Sequence, residues 1–260
     1  ALSVTHFHHF LWKTDEDSNS EGINHDKAIR LRRQDREPQY LETGAVYVMR
    51  TEGFLQSKHR FFGKTVLYVV PPERGFEIDE PVDLKVAEVL LRERERYSKV
   101  RALPDPVSAL VLDFDGVFTD NRVLVHQDGQ EAVICHRGDG WGLAQLKALR
   151  LPLLVISTEK NPVVQARCDK LNIPCLQGVK DKLTVLIEWA KEHGLELAHI
   201  VYLGNDINDL TCLQAVGCGV VVHDAHPDVH STARIILNSK GGQGAIRELT
   251  DLIIQRIKGA

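Results

Sequence analysis

Short apolar runs alternate with helical segments through the second half of the chain, and this alternation constrains the fold most. Strand-like runs lie at residues 108–112, 153–156, 200–203 and 219–222. Helical segments lie at residues 142–149, 161–171, 180–193, 209–216 and 245–258. Strands separated by helices of this length form a parallel sheet with helices on both faces. We therefore predict an α/β fold, with a Rossmann-like parallel sheet, for residues 107–260.

One segment departs from this alternation. Residues 123–135 contain two short strand patterns on either side of Asp128-Gly129. Asp-Gly between two such patterns is a strong signal of a β-hairpin. We expect this hairpin to follow the first strand of the sheet.

The first half of the chain has a different texture. Residues 12–30 are polar and read as a loop, whereas strand-like and helical patterns occur at 41–50, 65–70 and 80–94. A charge-dense stretch and two prolines, Pro104 and Pro106, follow that helical pattern. Such a stretch is typical of a linker between domains. The predicted division is a first domain at 1–95, a linker at 96–106 and a second domain at 107–260.

Composition excludes several classes of protein. Lys and Arg total 32 against 36 Asp and Glu, a net charge of -4, which argues against a nucleic-acid partner. No apolar run approaches the length of a membrane span, so no membrane partner is expected. The five cysteines form no C-x-x-C pair, which indicates neither a zinc site nor a disulfide framework. A reducing, cytoplasmic setting is expected.

Two carboxylates follow the first predicted strand of the sheet. Asp113 and Asp115 lie one residue apart and precede Gly116, at the strand's carboxyl end. Ligands of open α/β sheets bind at that end. Neighbouring carboxylates repel each other, and a hard cation with oxygen ligands, most plausibly Mg²⁺, relieves the repulsion. An acidic turn without function is the alternative that the pair alone leaves open.

Three later elements extend this pattern. Ser157 ends the next strand, Lys182 opens a helix after Gly178, and Asn205, Asp206 and Asp209 follow a further strand. Separately, Ser157 and Asp209 could be helix N-caps and Lys182 a surface charge. Together, carboxylates, hydroxyl, lysine and acidic cluster at successive strand ends predict a site for phosphate and magnesium.

The order of these motifs resembles that of the haloacid dehalogenase (HAD) superfamily. The resemblance implies that Asp113 attacks phosphorus to form an aspartyl phosphate and that Asp115 is the general acid and base. It also implies that Ser157 holds a phosphoryl oxygen and that Lys182 stabilises the negative charge. The implied Mg²⁺ ligands are Asp113, Asp115, Asn205, Asp206 and Asp209. Asn205 departs from the family pattern, which usually has an acid there, so metal binding is expected to be weaker.

Two glycine-rich segments narrow this resemblance. Residues 138–142 (GDGWG) and 241–248 (GGQGAIRE) are similar to signatures of the 3-deoxy-D-manno-octulosonate 8-phosphate phosphatases, which lack a cap domain. Residues 115–157 hold only the hairpin and one helix, so the hairpin stands in place of a cap. The resemblance implies a homotetramer in which hairpins help to close a neighbouring site. Gln243 replaces the arginine that is usual in the family.

Motifs of the first half occur in the order found in N-acylneuraminate cytidylyltransferases. These are Arg32-Arg33-Gln34-Asp35, residues 42–47, Phe61-Phe62 and Phe76-Glu77-Ile78-Asp79. The resemblance implies a sialic acid pocket lined by Arg33, Tyr47, Phe61 and Phe62, and a Mg²⁺ site at Glu77 and Asp79. The family's Gly-, Ser-, Lys- and Arg-rich loop for the CTP phosphates is not in this sequence. We expect a partial, incompletely packed nucleotidyltransferase domain that makes no CMP-sialic acid by itself.

These features lead to one main hypothesis and two alternatives. The main one is Mg²⁺-dependent hydrolysis of a small sugar-acid phosphate, such as sialic acid 9-phosphate, within a bifunctional CMP-sialic acid synthetase. The first alternative is an N-acylneuraminate cytidylyltransferase whose HAD domain is an assembly platform. The second is an inert oligomerisation module, against which the retained Asp113 and Asp115 argue.

Overall fold

The computed structural model describes residues 1–259, which form two compact units. The first unit is Ala1–Arg92, and the second begins at Glu93. Among the described residues, no helix is both long and apolar enough to cross a membrane.

The first unit is built on a small three-stranded sheet. The strands of the unit are β1 (Leu2–Phe7), β2 (Trp12–Thr14), β3 (Ser20–Gly22), β4 (Gln39–Tyr47) and β5 (Leu67–Val69), with helix α1 (Thr51–Ser57) and 3₁₀ turns at Arg33–Asp35 and Pro72–Arg74. The three-stranded sheet consists of β4, β1 and β5. β1 lies at the centre, antiparallel to β4 and parallel to β5. β2 and β3 pair with each other inside the region predicted to be a loop.

This unit has very little core. Within residues 1–92 the buried residues are Leu2, Ser3, Val4, Thr5 and Thr43, which all lie on β1 and β4. The Ser3 hydroxyl and the Thr43 hydroxyl lie 2.6 Å apart, so even this core is partly polar. Most apolar side chains of β5 and the loops are exposed. The packing is therefore shallow, as the sequence predicts for this half of the chain.

A long helix extends into the predicted linker and covers most of it. Helix α2 (Pro81–Ala102) continues past the predicted end at residue 94 and includes residues 96–102. Its charge-dense part is stabilised by pairs four residues apart, such as Lys99 Nζ and Glu95 Oε1 at 2.9 Å. The boundary between the units lies within this helix, after Arg92. The functional division at residues 95 and 106 stays a prediction.

The second unit has the predicted parallel sheet, in the order β10-β9-β6-β11-β12-β13. Its strands are β6 (Ala109–Leu112), β7 (Leu124–Val125), β8 (Glu131–Ala132), β9 (Leu153–Ile156), β10 (Cys175–Leu176), β11 (Ile200–Gly204), β12 (Cys218–Val221) and β13 (Ile235–Ile236). Its helices are α3 (Arg137–Ala148), α4 (Pro162–Leu171), α5 (Lys182–Glu192), α6 (Leu210–Ala215), α7 (Pro227–His230) and α8 (Ala245–Lys258), with 3₁₀ turns at Leu197–His199 and Ile207–Asp209. Every pairing in this sheet is parallel, which confirms the α/β prediction.

Burial of the central strands explains why they read as continuous apolar runs. All residues of β6, β9 and β11 are buried, because helices cover both faces of the sheet. Helix α8 instead buries a single stripe of residues spaced three or four apart: Ile246, Leu249 and Ile253.

The predicted hairpin is present between β6 and α3. β7 and β8 pair antiparallel, with Leu124 opposite Ala132. Gly129 has a φ of 82°, a conformation that glycine adopts without steric cost. The Asp-Gly signal therefore identified both the hairpin and its turn.

Candidate active site

The predicted site residues lie at the carboxyl edge of the parallel sheet. Asp113 directly follows β6, Ser157 follows β9 and Asn205 follows β11. These three strands are neighbours in the order β9-β6-β11, so their carboxyl ends meet at one edge. The topology thus brings together residues as far apart in the sequence as Asp113 and Asn205.

Asp113 is a buried carboxylate with one oxygen fully engaged. Its Oδ1 accepts a hydrogen bond from its neighbour Phe114 N–H at 2.7 Å and faces Lys182 Nζ at 2.8 Å. Burial raises the pKa of Asp113, the Asp209 charge raises it further, and Lys182 lowers it. Its Oδ2 faces the side chain of Asn205.

Lys182 is held between two carboxylates. It is the first residue of α5, is 2% exposed, and donates a hydrogen bond to Asp209 Oδ1 at 2.7 Å. Burial lowers the pKa of Lys182, but the two carboxylates outweigh that effect and raise it. The lysine is therefore a fixed positive charge beside Asp113.

Asp209 serves this lysine and has no oxygen free. Its Oδ1 also accepts from Tyr202 Oη at 2.7 Å, and its Oδ2 accepts from the N–H groups of Asn205 and Asp206 at 2.9 and 3.3 Å. A carboxylate with each oxygen engaged by two donors is already satisfied. Its oxygens hold Lys182 and the loop after β11, and its assignment to the Mg²⁺ site, directly or through water, stays a prediction.

Asp115 has surroundings unlike those of Asp113. It is half-buried, and within residues 1–259 its carboxylate makes no hydrogen bond or ion pair. Burial raises the pKa of Asp115, and the carboxylates of Glu159 and Glu131 add to the increase, whereas Lys182 lowers it. A half-buried carboxyl group whose pKa is raised suits a general acid.

Ser157 and Asp206 occupy supporting positions. Ser157 is 1% exposed, and its Oγ accepts from Glu159 N–H at 3.1 Å, which orients the hydroxyl at the end of β9. Asp206 Oδ1 accepts from Ile207 N–H at 2.7 Å and so caps the 3₁₀ turn that follows β11. The geometry gives Asp206 a structural task that sequence reasoning had not assigned to it.

Asn205 completes an oxygen-rich pocket suited to a hard cation. Its amide lies 2.9 Å from the Asp115 carbonyl oxygen and 3.2 Å from Asp113 Oδ2. With its oxygen turned toward them, the pocket offers a carboxylate, a carbonyl and an amide oxygen, which are ligands that Mg²⁺ accepts. Among residues 1–259, no group of three or more His, Cys, Asp and Glu side chains is arranged to hold a metal. A cation here would therefore depend on the carbonyl and amide oxygens as well as on Asp113.

Gly116 makes this arrangement sterically feasible. Its φ is 74°, and a Cβ at this position would overlap the amide of Asn205. Glycine is thus required both for the turn after Asp115 and for the close approach of Asn205.

The residues assigned to a sialic acid pocket in the first unit are only partly brought together. Tyr47 and Phe61 have ring centroids 6.1 Å apart, and the Arg60 guanidinium lies 4.2 Å from the Tyr47 ring centroid. The Glu42 hydrogen bond raises the pKa of Tyr47, and the charge of Glu77 adds to the increase.

The other members of that predicted pocket lie elsewhere in the unit. Arg33 borders a cavity of about 170 Å³ with His6 and His8, whereas Phe62 borders another of about 620 Å³ with Lys64. Asp79 donates its backbone N–H to Asp83 ahead of α2. The transferase assignments stay predictions.

Sequence reasoning missed two residues that contribute to the candidate site at the carboxyl edge of the sheet. Tyr202 is fully buried on β11 and donates to Asp209, and burial raises its pKa well above the ordinary value. The second is Glu159, whose negative charge raises the pKa of Asp115. A tyrosine in an otherwise apolar strand was a signal for the first, because a buried hydroxyl needs a partner. No local pattern pointed to the second.

Comparison with known proteins gives results for both halves of the chain. Residues 173–249 match the haloacid dehalogenase-like hydrolase family. The chain is 30% identical over 156 residues to the 3-deoxy-D-manno-octulosonate 8-phosphate phosphatase of Escherichia coli K12, covering 60% of this chain and 83% of the phosphatase. The solved phosphatase of that name from Moraxella catarrhalis, in complex with magnesium, phosphate and KDO, superposes with a TM-score of 0.58 at 30% identity. That superposition covers 64% of this chain and 93% of the solved one.

A second relative spans both units. The chain is 29% identical over 265 residues to the zebrafish (Danio rerio) N-acylneuraminate cytidylyltransferase A, covering 98% of this chain. It spans 60% of the length of that relative. The fusion of transferase-like and phosphatase-like parts expected from the motifs is thus confirmed.

Proposed function

Because this chain belongs to the haloacid dehalogenase-like hydrolases, we propose that its second unit is a Mg²⁺-dependent phosphatase of a sialic acid or related nonulosonate phosphate. The observation that carries the proposal is the buried Lys182, whose Nζ lies 2.8 Å from Asp113 and 2.7 Å from Asp209. A fixed cation beside a buried carboxylate, at the ligand-binding edge of the sheet, is suited to phosphoryl transfer.

In the proposed reaction Asp113 is the nucleophile. Its carboxylate oxygen forms a bond to phosphorus while the bond from phosphorus to the sugar oxygen breaks, and the leaving oxygen takes a proton from Asp115. Asp115 then accepts a proton from water, whose oxygen attacks phosphorus and releases phosphate and the Asp113 carboxylate. Two steps of this kind have lower barriers than one direct displacement. Asp115 fits the acid role because its surroundings raise its pKa.

Other groups bind and orient the phosphoryl group. Lys182 offsets negative charge beside Asp113, and the buried Ser157 hydroxyl contributes a hydrogen bond to a phosphoryl oxygen. Mg²⁺ would be held by Asp113, the Asp115 carbonyl and Asn205. When bound, it would supply positive charge toward the phosphoryl oxygens.

The proposed substrate class is inferred from the transferase-like part that shares the chain with the phosphatase-like unit. The chain is similar to N-acylneuraminate cytidylyltransferases over 98% of its length, and hydrolysis of a sialic acid phosphate yields the free sugar acid that such an enzyme uses. The phosphatase relatives are named for another sugar acid, the eight-carbon 3-deoxy-D-manno-octulosonate. The phosphates of these two sugar acids are both phosphate monoesters.

Phosphate release from sialic acid 9-phosphate tests this proposal. With Mg²⁺ present, the chain should release phosphate faster than its Asp113→Asn variant by on the order of a thousandfold, because the variant lacks the nucleophile. 3-Deoxy-D-manno-octulosonate 8-phosphate serves as the comparison substrate. Release from neither substrate above the level of the variant would overturn the phosphatase proposal, whereas release only from the second would overturn the substrate.

A second role is favoured by the exposed hairpin. Val123, Leu124 and Val125 are 52, 61 and 59% exposed, an apolar surface suited to contact with another copy. We propose that the second unit also assembles the protein as a homotetramer. Joined to a complete cytidylyltransferase domain, it would then act as a platform for the conversion of CTP and sialic acid to CMP-sialic acid and diphosphate.

A further inference from the structure

The side-chain amide of Asn205 lies against the two oxygens that a cation at this edge would need. Asp113 Oδ1 is already engaged by Lys182 and by the Phe114 N–H, so Oδ2 is the oxygen left over. Asn205 lies 3.2 Å from this oxygen and 2.9 Å from the Asp115 carbonyl oxygen. Both are hydrogen-bond acceptors without a proton to share when Asp113 is ionised.

The orientation of the amide decides how these acceptors are satisfied. With Nδ2 facing them, Asn205 donates one hydrogen bond to each, and the pocket is satisfied without a cation. With Oδ1 facing them, three oxygens point at one another, which is favourable only when a cation lies between them. A single amide therefore offers two mutually exclusive ways to neutralise the pocket.

The backbone of Asn205 is fixed, so the choice falls on its side chain. Its N–H donates to Asp209 Oδ2 at 2.9 Å, and its carbonyl accepts from His226 N–H at 2.8 Å. The residue is 7% exposed, and Gly116 leaves just enough room beside the amide. Rotation of the terminal amide is the simplest motion that exchanges donor for acceptor here.

We propose that Asn205 is an internal competitor for the cation: its N–H₂ group occupies the cation's partners until the amide turns over. Cation binding must then break two hydrogen bonds and gains only a neutral ligand in place of a carboxylate. The pocket is thereby stable when empty, with low affinity for Mg²⁺ and Mn²⁺. This inference depends on the proposed function only for the use of the cation, because binding and stability are measurable without turnover.

The test measures Mn²⁺ and Mg²⁺ binding and thermal unfolding of the full chain, its Asn205→Asp variant and its Asn205→Ala variant. In chelator, N205D should unfold at a lower temperature than the wild type, because a carboxylate replaces the donor between two acceptors. It should bind Mn²⁺ about tenfold more tightly, because the added carboxylate raises the ligand charge. Mg²⁺ should therefore raise its unfolding temperature more than that of the wild type.

The alanine variant removes both the hydrogen-bond donor and the neutral oxygen ligand. N205A loses both, so it should unfold below the wild type in chelator and show no gain in Mn²⁺ affinity. If N205D does not fold in chelator, the comparison of N205A with the wild type still tests the two hydrogen bonds. Equal Mn²⁺ affinity in wild type and N205D, or a chelated N205A as stable as the wild type, would overturn the proposal. Neither result depends on whether sialic acid 9-phosphate is hydrolysed.

Discussion

At the sheet edge, the buried Lys182 lies between two carboxylates, those of Asp113 and Asp209. Removing Lys182 from water costs several kcal/mol, and its two carboxylate partners, which also accept further hydrogen bonds, offset this cost. Asp209 receives the Tyr202 hydroxyl and two backbone N–H groups, and Asp113 receives the Phe114 N–H. The set carries one net negative charge when all three groups are ionised. The edge is thus prepared for a cation or a proton before any substrate binds.

The charge of Glu159 should set where the alkaline limb of the pH–rate profile begins. Glu159 raises the pKa of Asp115, second only to the effect of burial. Asp115 must carry a proton to protonate the leaving oxygen, so kcat/KM should fall as pH rises through its pKa. Glu159→Gln removes the neighbouring charge and lowers that pKa. The fall in kcat/KM should therefore begin at lower pH in E159Q, which a pH–rate profile measures.

A control for this variant lies at the opposite edge of the sheet. Glu196 precedes the amino end of β11, and its side chain is 78% exposed. Glu196→Gln should leave the profile unchanged. An alkaline limb in E159Q at the same pH as in the wild type would show that Glu159 does not act on the group that titrates.

At the scale of elements, a buried carboxylate joins the first helix of the sheet domain to the last. Asp139 is 1% exposed on α3, and its Oδ1 accepts from Arg247 N–H at 2.9 Å in the first turn of α8. The residue before α8 is Gly244, which has no side chain to cap the helix. Gly142 allows the helices to approach, because a Cβ there would overlap Thr250. The GDGWG segment therefore has a structural task in holding α8.

Two substitutions of Asp139 should distinguish the effect of its hydrogen bond to α8 from the effect of its negative charge. Asp139→Ala removes the acceptor and should lower the free energy of unfolding by about 1 kcal/mol relative to Asp139→Asn, which keeps an acceptor. Burial raises the pKa of Asp139, so the folded state binds its proton more tightly than the unfolded chain does. The stability that this residue contributes is then lost as pH rises above the ordinary carboxyl range.

The pH dependence of D139N gives the sign of this effect. The asparagine does not titrate, so the unfolding temperature of D139N relative to the wild type should increase between about pH 3, below the ordinary carboxyl pKa, and about pH 7. Thermal unfolding of the wild type and both variants at the two pH values measures both effects. A constant difference between D139N and the wild type would contradict the pKa direction, and equal stability of D139A and D139N would contradict the cap.

Local patterns in the sequence were sufficient to predict the positions of the buried strands but insufficient to predict the strands at the edges of the sheet. β9 lies at the predicted residues 153–156, and β6 and β11 differ from their predictions by one residue. The two-residue edge strands β10 and β13 are too short to have a period. β1 was missed because its serine, threonine and histidine hide the apolar pattern of a strand paired on both sides.

The candidate site divides in the same way. Asp113, Ser157 and Lys182 follow strand ends or open a helix, so position alone placed them at one edge. The work of Asp209 depends on Tyr202, and that of Asp139 on Arg247, 108 residues away. Such partnerships are set by tertiary packing, which periodicity does not report. Likewise, only the three-dimensional structure shows that the Asn205 amide faces two acceptors.

At the scale of the whole molecule, apolar surface is left exposed where another copy could cover it. The hairpin presents Val123, Leu124 and Val125, and Ile134 beside it is 83% exposed. The hairpin is a two-stranded sheet that pairs with no other strand among the described residues. A two-stranded hairpin is marginally stable unless something packs against it. Association through this surface would stabilise the hairpin and remove apolar area from water.

Assembly should therefore depend on the hairpin. Light scattering at micromolar concentration should give a mass four times that of the 29.2 kDa chain. Leu124→Asp should reduce that mass, because burying a carboxylate in an apolar contact is unfavourable. Ile187→Asp is the matched control, since Ile187 is a 44% exposed apolar residue that belongs to α5 and not to the hairpin. A monomeric wild type would contradict the platform role, and an L124D tetramer would place the contact on another surface.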